Sequence, residues 1–229
     1  HQQKYFDQKV DALAKNYEHE VIIAIDESLN NQDILKVITP LADQFPITNF
    51  EIISTTTDDV ENLVKIGKAQ LGIIYSDGEL KVDMDFFLLG QARFLTISSP
   101  EHPLAKLKAV TSSDLKAHRQ CVHRSLSQKE LWFSYAISSR IWYANTHQTL
   151  IDLVAQSIGW ALVPEFAIKK YINQAEVITL PVTHEQGGWL TPVGCVVSRS
   201  QSTGPVLQSL INRLQQHFLK SDSAGIEQF

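Results

Sequence analysis

Cysteine is scarce. The 229 residues hold two, Cys121 and Cys195, which cannot form a disulfide framework. Both sit inside apolar strand patterns, RQCVH and VGCVVS, so inert packing is the expectation and a redox-sensing thiol the alternative. No Cys/His cluster has zinc spacing, and His184-Glu185 lacks the second histidine of a zinc protease motif. No Gly-x-Ser-x-Gly elbow and no phosphate-binding glycine loop occurs. No catalytic residue, metal or cofactor is therefore expected, and the chain is not read as an enzyme. No apolar run reaches the roughly 18 residues of a membrane-spanning helix. There is no leader at the start as written, and the first residue is His1 rather than Met, so the chain reads as a fragment or a processed product. Basic excess is missing too. Lys and Arg number 20 against 25 Asp and Glu, a net charge of −5. A surface that holds DNA shows as a basic stripe, so any DNA contact belongs to a part outside this chain.

What is present is an ordinary globular composition, 44% hydrophobic and 20% charged, long enough for one large domain or two small ones. Phe6, Val10, Leu13 and Tyr17 follow one another at spacings of four, three and four, the seam of a short coiled-coil segment. It is either a helix packed on the domain or the end of a longer dimerising helix. From residue 20 strands and helices alternate. Strand 21–25 leads to a helix over 33–45, which Pro40 interrupts. Strand 50–54 leads to a helix from Asp58, with Thr57 before it and Gly67 as its stop. Strands follow at 70–75, 84–89 and 93–99. This order marks a parallel sheet with helices on both faces. The second half repeats it: strands at 120–124 and 141–145, a helix over 147–158, a strand at 160–163, a helix with Pro164 at its first position, strands at 176–180 and 192–198, and an amphipathic helix after Gly204-Pro205. Pro100, Pro103 and the Ser-rich stretch 198–203 are the expected crossings between two α/β halves.

The stretch VIIAIDESLNNQDIL, residues 21–35, ends an apolar strand in small polar residues at the mouth of a helix. A plain turn would do this. So would a loop that holds a ligand on backbone N–H groups at a helix N-terminus.

The segments FEIISTTTDDVENLVKIGKAQLGIIYSDGE, SSPEHPLAKLKAVTSSDLKAH, YANTHQTLIDLVAQSIGWALVPEFAI and GPVLQSLINRLQQHF resemble the effector-binding domain of LysR-type transcriptional regulators. The likeness runs from about Val21 to Phe218. Its most specific pieces are His102-Pro103-Leu104-Ala105 and Thr149 to Pro164. Gln70 stands where the family usually has an acidic residue, and a structural role is expected for it. The resemblance implies two Rossmann-like lobes of the type 2 periplasmic-binding-protein fold, with a small-molecule effector between them. It also implies a winged helix-turn-helix ahead of this chain, a bacterial and cytoplasmic protein, a homodimer that becomes a tetramer at full length, and no membrane contact. Residues 1–19 would end the linker helix. Residues 20–105 and 199–220 would form lobe I, 106–198 lobe II, and 221–229 a flexible tail. A transporter's solute-binding protein shares the fold and is the alternative function.

In this family the loop after the first strand is one wall of the effector cleft, which favours the ligand reading of residues 26–31 and implicates Ser28 and Thr57. Ligands bind such folds at the carboxyl ends of strands. That rule adds Ser98 and Ser99 at the crossing, His123, Arg124 and Ser125 after strand 120–122, and Asn145 and Thr146 before helix 147–158. Ser and Thr in such places are most often simple caps. Arg124, the one cation among them, suits a carboxylate, whereas Asp26 and Glu27 suit an amine, so a carboxylate or an amino acid is the expected effector class. Trp132, Trp142, Trp160 and Trp189 are expected in the core and the cleft walls. Helix 33–45, with Ile34, Leu35, Val37, Ile38 and Leu41, is expected at a dimer interface.

Overall fold

The computed structural model describes residues 2–79 and 81–221. All of the expected tail except Ser221 lies outside them. The chain divides into two compact units. One holds the described residues of His1–Gly90 and Val193–Glu227, and the other is Gln91–Pro192. These borders differ from the expected ones at 105/106 and 198/199. The two strands expected at 84–89 and 93–99 are one strand, β4 (Met84–Ser98), and the chain changes units inside it. It returns inside β9 (Trp189–Ser198). Pro and Ser mark turns, and a strand that runs through a border carries no such mark.

In the first unit β1 (Glu20–Asp26) lies parallel to β2 (Asn49–Thr55), from Glu20 opposite Asn49 to Asp26 opposite Thr55. On its other side it pairs in parallel with β3 (Leu71–Tyr75). The order is β2-β1-β3-β9-β4, with β9 antiparallel to β3. Gln70 has the structural role expected of it: its Oε1 accepts from the Ile22 backbone amide at 2.7 Å while its backbone N–H donates to the Ile22 carbonyl. The expected helix 33–45 is two helices, α2 (Gln32–Ile38) and α3 (Leu41–Gln44), parted at Thr39-Pro40. That break turns Leu41 inward as well. Ile34, Val37, Ile38 and Leu41 are all buried in this unit, so of the five residues expected at a dimer interface only Leu35 is partly exposed, and the apolar surplus is explained by the unit's own core. Thr56 rather than Thr57 caps α4 (Thr57–Lys65), and Gly67, at φ 75°, ends it as expected. Glu18 caps α8 (Pro205–Ser221), its carboxylate accepting from the Val206 and Leu207 amides at 2.9 and 3.1 Å. In α1 (Gln2–Ala14) the seam residues Phe6, Val10 and Leu13 are exposed, Leu13 at 76%. They are not packed on the domain.

The second unit adds a helix the sequence reading missed, α5 (Ser112–Ala117), fixed by a capping box between Thr111 and Asp114. Strand β5 (Gln120–His123) runs parallel to β6 (Ile141–Ala144), and α6 (His147–Ala155) follows. Strand β7 (Ala161–Pro164) leads into α7 (Glu165–Asn173), with Pro164 as N-cap rather than first residue. Both β7 and β8 (Ile178–Thr179) pair antiparallel with β4. Ile97, Cys121, Leu150, Val154, Val163 and Ile168 fill one core, and Leu104, Val110, Leu115 and Trp160 belong to a second. The HPLA motif has a local cause. His102 Nδ1 accepts from the Leu104 amide at 3.2 Å and so caps the 3-10 turn Pro103–Lys106. Burial, helped by the neighbouring His118, lowers the His102 pKa.

Candidate functional site

In the first unit β1, β2 and β3 are parallel, so Asp26, Thr55 and Tyr75 end on one edge. Asp26 is fully buried there. Its carboxylate accepts three hydrogen bonds. Oδ1 takes the Ser28 amide at 3.1 Å and the Ser28 hydroxyl at 2.8 Å, and Oδ2 takes the Thr57 hydroxyl at 2.8 Å. Ser28 Oγ is also 2.6 Å from the Tyr75 hydroxyl. A hydroxyl has one proton, and that of Ser28 goes to Asp26, so Tyr75 donates to Ser28. Burial and then the charge of Asp26 raise the Tyr75 pKa well above its usual value. The phenol therefore keeps the proton that this bond needs. Thr57 Oγ1 in turn accepts from the Tyr75 amide at 3.2 Å. Ser28 and Thr57 thus meet in one cluster, but through Asp26 and Tyr75. Sequence reasoning weighed Asp26 only as a charge and passed over Tyr75. The strand-end rule applied to β3 would have found it.

In the second unit β5, β6 and β7 run the same way, with Gln120 bridged to Trp160 at their start. His123, Ala144 and Pro164 therefore end on one edge. Antiparallel β4 places Phe94 beside Pro164 on that edge and Ile97 beside Ala161 at the far one. Ser98 and Ser99 thus lie across the sheet from His123, Arg124, Asn145 and Thr146 and do not join them. Both are buried, Ser99 bonding Ser157 at 2.7 Å and Ser98 donating to the Ser99 carbonyl.

On the strand-end edge, buried His123 stacks on buried His147, with centroids 4.3 Å apart and planes within 8°. Ring lone pairs lie in the ring plane, so parallel imidazoles do not converge on one ion, and this geometry is a packing stack. The array continues from His147 to Phe94, then Phe133, with Trp189 stacked on Phe133 and Trp132 edge-on to it. Of the four tryptophans only Trp160 is core, its Nε1 donating to the Leu115 carbonyl at 2.9 Å. Trp132, Trp142 and Trp189 are exposed, so of the four expected in the core and the cleft walls these three are not core, and Trp132 and Trp189 are surface aromatics of this edge. The Arg124 guanidinium lies 3.5 Å from the centroid of Tyr143, a cation–π stack. Ser125 closes a turn by accepting from the Lys129 amide, and Thr146 caps α6 by accepting from the Thr149 amide. Asn145 is exposed. Burial raises the Cys121 thiol to about 11 and Cys195 to about 12, and a protonated buried thiol is not a nucleophile.

The LysR substrate binding domain family matches residues 14–219. This chain belongs to that family. The multiple virulence factor regulator MvfR of Pseudomonas aeruginosa is 24% identical over 161 residues, which cover 69% of this chain and 48% of MvfR. The chain spans about half the length of the curated relatives it matches. The regulatory domain of the LysR family regulator MetR from N. meningitidis superposes with a TM-score of 0.69 at 18% identity, covering 88% of this chain and 94% of that one. The effector-binding domain of QuiR in complex with shikimate superposes at 0.67 and 13% identity, covering 89% and 98%. The fold is thus that of the LysR regulatory domains, the type 2 periplasmic-binding-protein fold. The LysR family is one of transcriptional regulators, and the solute-binding alternative is set aside.

Proposed function

We propose that this LysR domain is the effector sensor of a longer, cytoplasmic DNA-binding regulator, and that a small organic effector taken up at a strand-end edge of the domain alters how that regulator sits on DNA. The observation that carries the reading is the pair of built edges within a LysR domain. One has a buried carboxylate ringed by Ser28, Thr57 and Tyr75. The other has an aromatic array that surfaces at Trp132 and Trp189. QuiR, of the same fold, was solved with shikimate. The exposed Phe6, Val10 and Leu13 on α1 support pairing of two copies through this helix and its continuation in the longer protein, giving a homodimer and, at full length, a tetramer. Among the described residues no helix is long and apolar enough to cross a membrane. DNA contact is assigned to the N-terminal winged helix-turn-helix of the longer protein.

The test is a thermal-shift screen of small aromatic acids, amines and amino acids on this chain, followed by DNA-binding measurements on the full-length protein with each hit. A ligand that binds only the folded form raises the melting temperature by mass action. A hit should also change the affinity or footprint on the regulator's own promoter. Hits that leave DNA binding untouched would defeat the proposal.

A further inference from the structure

Parallel strands need a crossover. Between β5 and β6 that crossover, residues 124–140, holds no helix or strand, only a bridge between Arg124 and Glu130. Leu131, Phe133, Ser134 and Ser138 are nevertheless buried in it, so its backbone groups need partners. On the returning limb two side chains supply them. Gln120, itself buried, donates from Nε2 to the Tyr135 carbonyl at 3.0 Å, and its Oε1 accepts from the Ile137 and Ser138 amides at 2.8 and 3.3 Å. The Glu130 carboxylate accepts from the Ala136 amide, between them, at 2.8 Å. Four successive residues are thus bonded as a neighbouring strand would bond them, but by side chains. The same crossover carries Trp132 and Phe133. Phe133 stacks on Trp189, meets Phe94 edge-on and has Trp132 edge-on to it.

We infer that Gln120 and Glu130 are positioning residues of the aromatic edge: they hold the crossover in the conformation that sets Trp132 and Phe133 against Trp189, and so fix the shape that an effector meets there. The inference rests on the effector-sensing reading and deepens it. Gln120 acts without touching the effector, since it opens β5, and three strand steps put it about 10 Å from the edge at His123. The two residues are not equivalent. Gln120 uses both ends of its amide, which neither a carboxylate nor an aliphatic side chain reproduces. Glu130 offers Ala136 one acceptor oxygen, which a glutamine keeps.

The test uses the whole chain. In the 15N-labelled parent the amides of Ala136, Ile137 and Ser138 should exchange at least about a hundredfold more slowly than unprotected amides, although they lie in no helix or strand. The chain is also grown with 5-fluorotryptophan, and its four 19F signals are assigned by replacing one tryptophan at a time with Phe. Gln120→Leu and Glu130→Ala should shift or broaden the Trp132 and Trp189 signals and leave that of Trp142, on β6, in place. Glu130→Ala should also speed Ala136 exchange by at least about tenfold, the worth of one hydrogen bond to a charged group. Glu130→Gln should restore both the signals and the protection. Fast exchange of the three amides in the parent would overturn the inference whether or not the Gln120 variant folds. So would unmoved Trp132 and Trp189 signals in either folded variant, equal disturbance of all four signals in Glu130→Ala, or no recovery in Glu130→Gln. No ligand enters these measurements, so their failure leaves the effector-sensing reading untouched. That reading falls instead on DNA binding that ignores every hit.

Discussion

Thr57→Val, a near-isosteric change, tests Thr57 as the support of a buried carboxylate. The Thr57 side chain is buried. Its hydroxyl gives Asp26 one of three hydrogen bonds and accepts one from the Tyr75 amide. A hydrogen bond to a charged group is worth about 1.5–3 kcal/mol, and depriving a buried donor of its acceptor costs about 1–3 kcal/mol. The added methyl returns about 0.8 kcal/mol. The net expectation is a loss of about 2–5 kcal/mol of stability. Thr56→Val next door removes an N-cap whose bond to the Asp59 amide is long, at 3.4 Å, together with a 2.6 Å hydroxyl bond to the Asp59 carboxylate, and should cost about 1.5–3 kcal/mol without touching Asp26. The assay must be chosen with care, because all four tryptophans, 132, 142, 160 and 189, lie in Gln91–Pro192. Their fluorescence reports the other unit. Native-state hydrogen exchange of peptides covering β3 reads the unit that holds Thr57. If Thr57→Val loses less than about 1 kcal/mol of that protection, the carboxylate cluster is not the support described.

Gly159→Ala should destabilise the second unit strongly, because a Cβ there would stand 2.2 Å from the Arg119 carbonyl oxygen, and a shift in the tryptophan-detected urea midpoint measures it. His102 gives a pH dependence of known sign. Its pKa is lowered in the fold, so the unfolded chain binds the extra proton near the usual value of about 6.5, and stability is full above that pH and falls as pH drops below it. Urea midpoints at neutral and mildly acid pH should differ less in His102→Asn than in the parent. Cys121 and Cys195, buried and held protonated, should resist iodoacetamide at pH 8 until denaturant is added, and rapid native labelling of either would revive the redox-sensor alternative.

Strand–helix alternation made the α/β class legible, and so did the family likeness at His102–Ala105 and Thr149–Pro164. Individual caps were less so. Thr56 and Thr57 are adjacent and chemically identical, and only the register of β1 on β2 decides which hydroxyl faces the helix and which faces Asp26. The border inside β4 had no local signal, since Phe86–Gly90 and Arg93–Ile97 both read as strand. Ser98 and Ser99 passed the strand-end rule because their strand was taken in the wrong sense. β4 runs against β7, and direction is a property of pairing that no single segment carries. The aromatic array joins residues 94, 123, 133, 147 and 189 from five separate stretches, so it had no spacing to read. The seam on α1 was visible from its period of three and four, whereas its exposure could be learned only from the fold.

The closed ring around Asp26 has an evolutionary consequence. Asp26, Ser28, Thr57 and Tyr75 each complete another's hydrogen bonding, so most single replacements strand a buried polar atom and cost stability before they alter recognition. A lineage that changes what this edge binds must therefore cross a valley, or first gain slack elsewhere in the domain. Substitutions at these four positions should appear in descendants as sets rather than one by one, and a library that varies them together should reach new ligand preferences that stepwise mutagenesis misses.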